Sequence, residues 1–146
     1  MRFATLAAWT AMLGGVPAAR AQTAADTAAI RATALDYIEG WWTGDALRME
    51  RALHGKLAKR MVVTDTSGHS RLVDMTALEL VQNVRAGGGT RTPKSDQRSD
   101  VTILDVFRNA AIVKIDAGSW IDYLQEARWN GRWVIVNVLW ELRPRQ

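Results

Sequence analysis

From residue 101 onward the chain is written almost entirely as short extended runs broken by turn dipeptides, and no other feature limits its fold as much. Residues 101–107, 110–117, 120–129 and 132–141 are rich in Val, Ile and Trp and are separated by Arg108-Asn109, Gly118-Ser119 and Asn130-Gly131. Asn130-Gly131 is the strongest of these signals, because both residues tolerate the positive φ of a type I′ turn. Runs joined this tightly predict an antiparallel meander. A parallel α/β sheet would need a helix between successive strands, and this stretch has no room for one.

The helical signals all precede the meander. Over residues 24–42, Ile30, Ala34, Tyr37, Ile38 and Trp41 recur at spacings of three and four, which sets them on one face of an amphipathic helix with Asp36 and Glu39 outside the stripe. Gly44 is placed to end that helix and Asp45 to start a second one, running through Met49 to about Leu53. Residues 60–64 read as a short strand followed by a turn at 65–69. Thr76-Ala77-Leu78-Glu79 is a capping box, continued by Val81 and Val84 and stopped by Gly87-Gly88-Gly89; residues 90–100 read as a loop. Helices in front and a meander behind predict one α+β domain with a single antiparallel sheet.

Before residue 22 the pattern is of another kind. A short positive end (Met1, Arg2), an uncharged apolar stretch over residues 3–18 and the small-x-small triplet Ala19-Arg20-Ala21 predict a leader of residues 1–21, cleaved after Ala21. The domain is then 22–146, periplasmic or secreted, with no membrane span of its own. Of 19 Lys and Arg against 15 Asp and Glu, Arg2 and Arg20 fall in the leader, leaving a nearly balanced chain. Lys56, Lys59 and Arg60, and then Arg85, Arg91, Lys94 and Arg98, are interleaved with acids and glycines and lack aromatics spaced for base stacking, so they read as solvated surface; no nucleic-acid partner is expected. The chain has no cysteine, which excludes disulfides, thiolate metal sites and a cysteine nucleophile. His54 and His69 lack helical ligand spacing, so no metal is expected. No serine sits in a Gly-x-Ser-x-Gly elbow, and the glycine run does not lead from a strand into a helix, so neither a hydrolase nucleophile nor a phosphate cradle is indicated.

Two segments carry a resemblance. Tyr37-Ile38-Glu39-Gly40-Trp41-Trp42-Thr43-Gly44-Asp45 near the front and Asn130-Gly131-Arg132-Trp133-Val134-Ile135-Val136-Asn137 near the end, together with Ala52-Leu53-His54, resemble the nuclear transport factor 2-like superfamily and, within it, the putative lumazine-binding family. The resemblance implies a cystatin-like cone, in which a curved sheet wraps the N-terminal helices around a pocket, and a homodimer formed through the sheet. That fold hosts isomerases, dehydratases, cyclases and non-catalytic binders. Its ketosteroid isomerases use a helix tyrosine and a protonated aspartic acid as oxyanion hole, with a second aspartate as base. Tyr37 matches the tyrosine, but the resemblance places the base near Met61 or Val62 and the second acid on Gln125, so steroid isomerisation is not expected.

If Gln125 points inward, the two-residue period brings Ile121, Tyr123, Ala127 and Trp129 with it, and Val134, Val136, Val138 and Trp140 form the facing set on the last strand. Lys114 and Asp116 share a strand face, either paired inside the cone or, as favoured here, outward or at an interface. The candidate ligand-binding residues are therefore Tyr37, Trp41, His54, Tyr123, Gln125, Trp140 and Asp116. The resulting expectation is an exported binder of a small planar or hydrophobic molecule, with no cofactor. The alternative is a cofactor-independent isomerase, lyase or cyclase, with His54 as base and Tyr37 as hydrogen-bond donor. A cone filled by its own side chains is a third possibility.

Overall fold

The computed structural model describes residues 23–144; the expected leader lies outside them. Helix α1 (Ala24–Thr43) opens on Thr23, whose hydroxyl accepts from the Asp26 N–H, and closes on Gly44 in the left-handed region at φ 70°. Asp45 then caps α2 (Ala46–Ala52). The two helices are clamped by Asp36, which accepts from Arg48 at 2.8 Å and Arg51 at 2.9 Å. Burial pushes the Asp36 carboxyl up, but the two guanidiniums outweigh it and hold its pKa below the ordinary value. The buried face of α1 carries Ile30, Ala34, Tyr37 and Ile38. Complete burial of a side chain such as Ile30 or Ile38 contributes roughly 1.5–3 kcal/mol.

The sheet is mixed, which corrects the all-antiparallel expectation. Strands β1 (Leu53–Thr64), β2 (Ser70–Thr76), β3 (Asp100–Phe107), β4 (Ala110–Asp116), β5 (Trp120–Trp129) and β6 (Arg132–Leu142) lie in the order β2-β1-β6-β5-β4-β3. β3 to β6 form the expected meander, but β1 runs parallel to β6. These two strands are joined through the whole intervening chain, so no turn dictates their relative direction. The β1–β2 hairpin turns where expected: the Asp65 carboxylate accepts from the backbone N–H of Ser67 and His69, and Gly68 takes φ +84°. Strand β2 was not anticipated. Its Arg71 and Asp74 hide the apolar alternation, and Asp74 pairs across the hairpin with Arg60 at 2.7 Å. Helix α3 (Ala77–Arg85) begins with the expected capping box.

β5 shows the opposite face from the one expected. Asp122, Leu124 and Glu126 are buried, whereas Tyr123, Gln125 and Trp129 are exposed on the outer face. The expected facing followed from an inward Gln125, whereas the buried side chains of β5 fall on the even positions, and a displacement of one residue exchanges the two faces of a strand. The pairing of β5 with β6 also shifts register between Gln125 and Glu126, skipping Val136. On β6, Trp133, Ile135 and Val138 belong to the core cluster and Trp140 packs against it; Val134 is buried as expected, whereas Val136 is only half-buried.

Two features of this interior have measurable consequences. A Cβ on Gly89 would stand 2.5 Å from the Trp42 ring and 2.6 Å from Trp41 Nε1, so Gly89→Ala should lower stability in urea unfolding by about 1–3 kcal/mol. Glu126 is 2% exposed, and neither of its carboxyl oxygens finds a hydrogen-bond partner among the described residues. Burial pushes its pKa from 4.5 up to about 8, so the folded protein keeps a proton that the unfolded chain has already released. This group's contribution to stability is full below its unfolded pKa and falls by about 1.4 kcal/mol per pH unit until the folded pKa is reached. Glu126→Gln should remove that fall, raising the urea midpoint relative to wild type near pH 8 and changing it little near pH 5.

Candidate functional site

The helices do not fill the curve of the sheet. Among α1, α2, α3 and the inner face of β1, β5 and β6 lies a cavity of about 300 Å³, lined by Tyr37, Ile38, Trp41, Met49, Lys59, Met75, Leu80, Ser119, Trp120, Trp140 and Leu142. Its wall is almost wholly apolar, and Lys59 is the one charged side chain among these lining residues.

Lys59 is 6% exposed and Asp122 is completely buried. The ammonium Nζ donates to Asp122 Oδ1 at 2.6 Å and to the Tyr37 hydroxyl at 2.7 Å. Tyr37 donates in turn to Asp122 Oδ1 at 3.3 Å, and Trp120 Nε1 donates to Oδ2 at 2.7 Å. A carboxylate behind the cavity wall thus holds three donors that face the cavity. Nζ also lies 4.6 Å from the centre of the Trp140 ring and 5.5 Å from that of Tyr37, where the ring faces attract a cation. Trp42 packs on Trp120 with ring centres 5.1 Å apart and is fixed by an indole hydrogen bond to the Arg98 carbonyl.

The electrostatics follow from burial. Desolvation lowers the pKa of Lys59, opposed by the charge and hydrogen bond of Asp122. Desolvation, followed by the Asp122 charge and hydrogen bond, raises Tyr37 well above the ordinary phenol value. Tyr37 is therefore a neutral phenol at physiological pH and a bridge between the amine and the carboxylate.

Of the residues anticipated for ligand binding, the cavity brings together Tyr37, Trp41 and Trp140. Tyr123 and Gln125 lie on the opposite face of the sheet, where Gln125 accepts from Asn137 Nδ2 at 2.9 Å. His54 belongs to a separate groove with Glu50, Arg85 and Arg132; its Nδ1 accepts from the Lys56 N–H, and its ring meets Trp129 edge-on at 5.0 Å. The pairing of His54 as base with Tyr37 as donor is consequently not assembled in one cavity. Asp116 sits at the end of β4, bound to the Gly118 N–H and to Arg143 at 2.7 Å. Burial raises the Asp116 pKa, but the Gly118 N–H and the charges of Arg143 and Arg98 more than compensate and lower it.

Lys59, Trp120 and Asp122 were missed. Lys59 stands in a run with Lys56 and Arg60 that reads as solvated surface, yet it shares strand parity with the buried Leu57. That parity was the available signal, and Asp122 has the same relation to Leu124.

Among the described residues, α1, α2 and α3 cupped in one curved mixed sheet, with a cavity at the helix–sheet interface, define the nuclear transport factor 2-like, cystatin-like class. The chain is similar to a protein of that class of unknown function from Shewanella baltica OS155, at TM-score 0.63 and 17% identity over 86% of this chain and 100% of that one. A second, from Silicibacter pomeroyi DSS-3, gives TM-score 0.62 and 21% identity over 84% and 99%. A cystatin-like protein from Nostoc punctiforme gives 0.60 and 18% over 84% and 94%. At these identities the likeness is one of fold. No curated protein sequence matches the chain. Residues 25–141 match the family described as "Putative lumazine-binding", and the chain belongs to that family.

Removing Lys59 strands a buried carboxylate. Lys59→Met should cost about 3–5 kcal/mol in urea unfolding, and adding Asp122→Asn should restore much of the loss, because the unpaired charge rather than the missing pair is the main penalty.

Proposed function

We propose that the protein is an exported binder of a small, flat, mainly apolar molecule, held among Trp41, Trp120 and Trp140 with one acceptor atom toward Lys59. The observation that carries this reading is a cavity of about 300 Å³ with an apolar wall and a single charged group. The volume lies at the lower end of the range for ligand sites, which suits a ligand of one to three fused rings. Aromatic walls supply contact area, and the Lys59 N–H groups supply orientation. The family description adds support, since lumazine is a flat heterocycle with carbonyl acceptors.

Export is proposed on the leader pattern of residues 1–21. A homodimer through the outer face of the sheet is proposed on the exposure there of Leu72, Tyr123 and Leu139, at 56%, 44% and 53%; isolated exposed apolar residues are ordinary, but grouped ones mark interaction surfaces.

The test is native mass spectrometry of protein recovered from the exported fraction, followed by titration of the purified protein with lumazine while tryptophan fluorescence is read. The expected outcome is a dimer beginning at Gln22 that carries a reproducible small-molecule mass, with fluorescence quenched on titration. Trp140→Ala should weaken binding by about 1 kcal/mol or more through loss of ring contact. A protein mass free of any ligand, together with unquenched fluorescence, would overturn the binding reading.

A further inference from the structure

We propose that Lys59 is an amine nucleophile, and that the cavity takes a flat aromatic aldehyde or ketone and holds it as an imine on Nζ. The inference rests on the reading of this cavity as a small-molecule site and adds a chemical class of substrate and a covalent step.

The geometry carries it in three parts. Nζ is the one ionisable nitrogen facing an apolar chamber wide enough for a ring system, with Trp140 4.6 Å away to stack the conjugated part of a carbonyl compound. A lysine attacks only as the free amine; here desolvation disfavours the ammonium form and outweighs the opposing charge and hydrogen bond of Asp122, so the pKa of Lys59 lies below its ordinary value. Finally, the groups that must take and return protons are in place. Asp122 Oδ1 lies 2.6 Å from Nζ, and the Tyr37 hydroxyl bridges the two at 2.7 Å and 3.3 Å.

The step balances without an oxidant or reductant. Asp122 takes one proton from the ammonium, and the nitrogen lone pair forms a bond to the carbonyl carbon while the C=O π pair moves to oxygen. That oxygen takes a proton from the Tyr37 phenol, which is reprotonated from Asp122. A second proton leaves nitrogen by the same route as the C–O bond breaks. Water departs carrying two protons that began on Nζ, the nitrogen lone pair closes the C=N bond, and the protonated imine faces the Asp122 carboxylate that had faced the ammonium. A simple structural ion pair would not need its cation to face an open chamber, whereas a nucleophile does.

The experiment incubates the full-length purified protein with naphthaldehyde and sodium cyanoborohydride, which reduces an imine to a stable secondary amine, and maps the product by proteolysis and mass spectrometry. The expected result is one naphthylmethyl group on Lys59, with Lys56, Lys94 and Lys114 unmodified, and loss of the adduct in Lys59→Arg, which keeps the cation but cannot form the imine. An unmodified Lys59, or modification spread evenly over the four lysines, overturns the proposal. Should Lys59→Arg fail to fold, the wild-type map decides alone. Naphthol, which has no carbonyl, separates the two readings. Tryptophan quenching by naphthol without an adduct on Lys59 overturns the imine and leaves ligand binding standing, whereas quenching by neither compound and no adduct overturns both.

Discussion

The buried carboxylate of Asp122 is the interaction on which the rest of the interior depends. It lies on β5 and gathers Lys59 from β1, Tyr37 from α1 and Trp120 from its own strand, so it ties the long helix to two strands that are not neighbours in the sheet. A charge in this position is tolerated only because three donors converge on it. The consequence is geometric: no donor can move without leaving the carboxylate short of a partner, so the polar end of the cavity has essentially one arrangement. Trp120 is fixed by the same contact and packs on Trp42, whose neighbour Trp41 lies against the closely approaching Gly89. The aromatic wall is therefore held partly by one carboxylate and partly by the absence of one side chain.

The interior treats its two inward carboxyls on β5 differently. Asp122 and Glu126 are four residues apart on the same face of the strand, but the first has three donors and the second has none among the described residues. Glu126 consequently keeps its proton through neutral pH, in surroundings where a charge would be costly. The charged pair of Lys59 and Asp122 and the uncharged carboxyl of Glu126 divide the inner face into a part that can orient a polar atom of a ligand and a part that only packs.

What was legible in the sequence was what is decided locally. Gly44, Asp45, Thr76 with Glu79, and Asn130-Gly131 each act within one turn of the chain, and each does in the structure what its residue type dictates. Tyr37 on the apolar stripe of α1 was visible for the same reason. The sense of β1 against β6 was not, because it depends on strands that no short connection joins. The facing of β5 was lost through one residue of register, and with it Asp122 and Trp120. Gln125 and Asp122 differ by an odd number of positions, so an argument that brings one inside necessarily puts the other outside.

The error over Lys59 has a further physical meaning. A lysine beside Lys56 and Arg60 is ordinarily surface, and the strand pattern that contradicts this is short, with Leu53 and Leu57 as the apolar core residues that share its parity on β1. Placing Lys59 inside costs desolvation, and the fold offsets that cost with Asp122, which is itself costly to bury, instead of with a second apolar residue. A protein needing only a core would be served as well by Met and Leu at these positions, whose packing requires no partner. The pair stands instead at the edge of a cavity that the helices leave open, where Lys59 and Tyr37 face the space and Asp122 stands behind them. Expensive polar groups and unfilled volume occur at the same place, and it is this coincidence, more than either feature alone, that makes this cavity the candidate site.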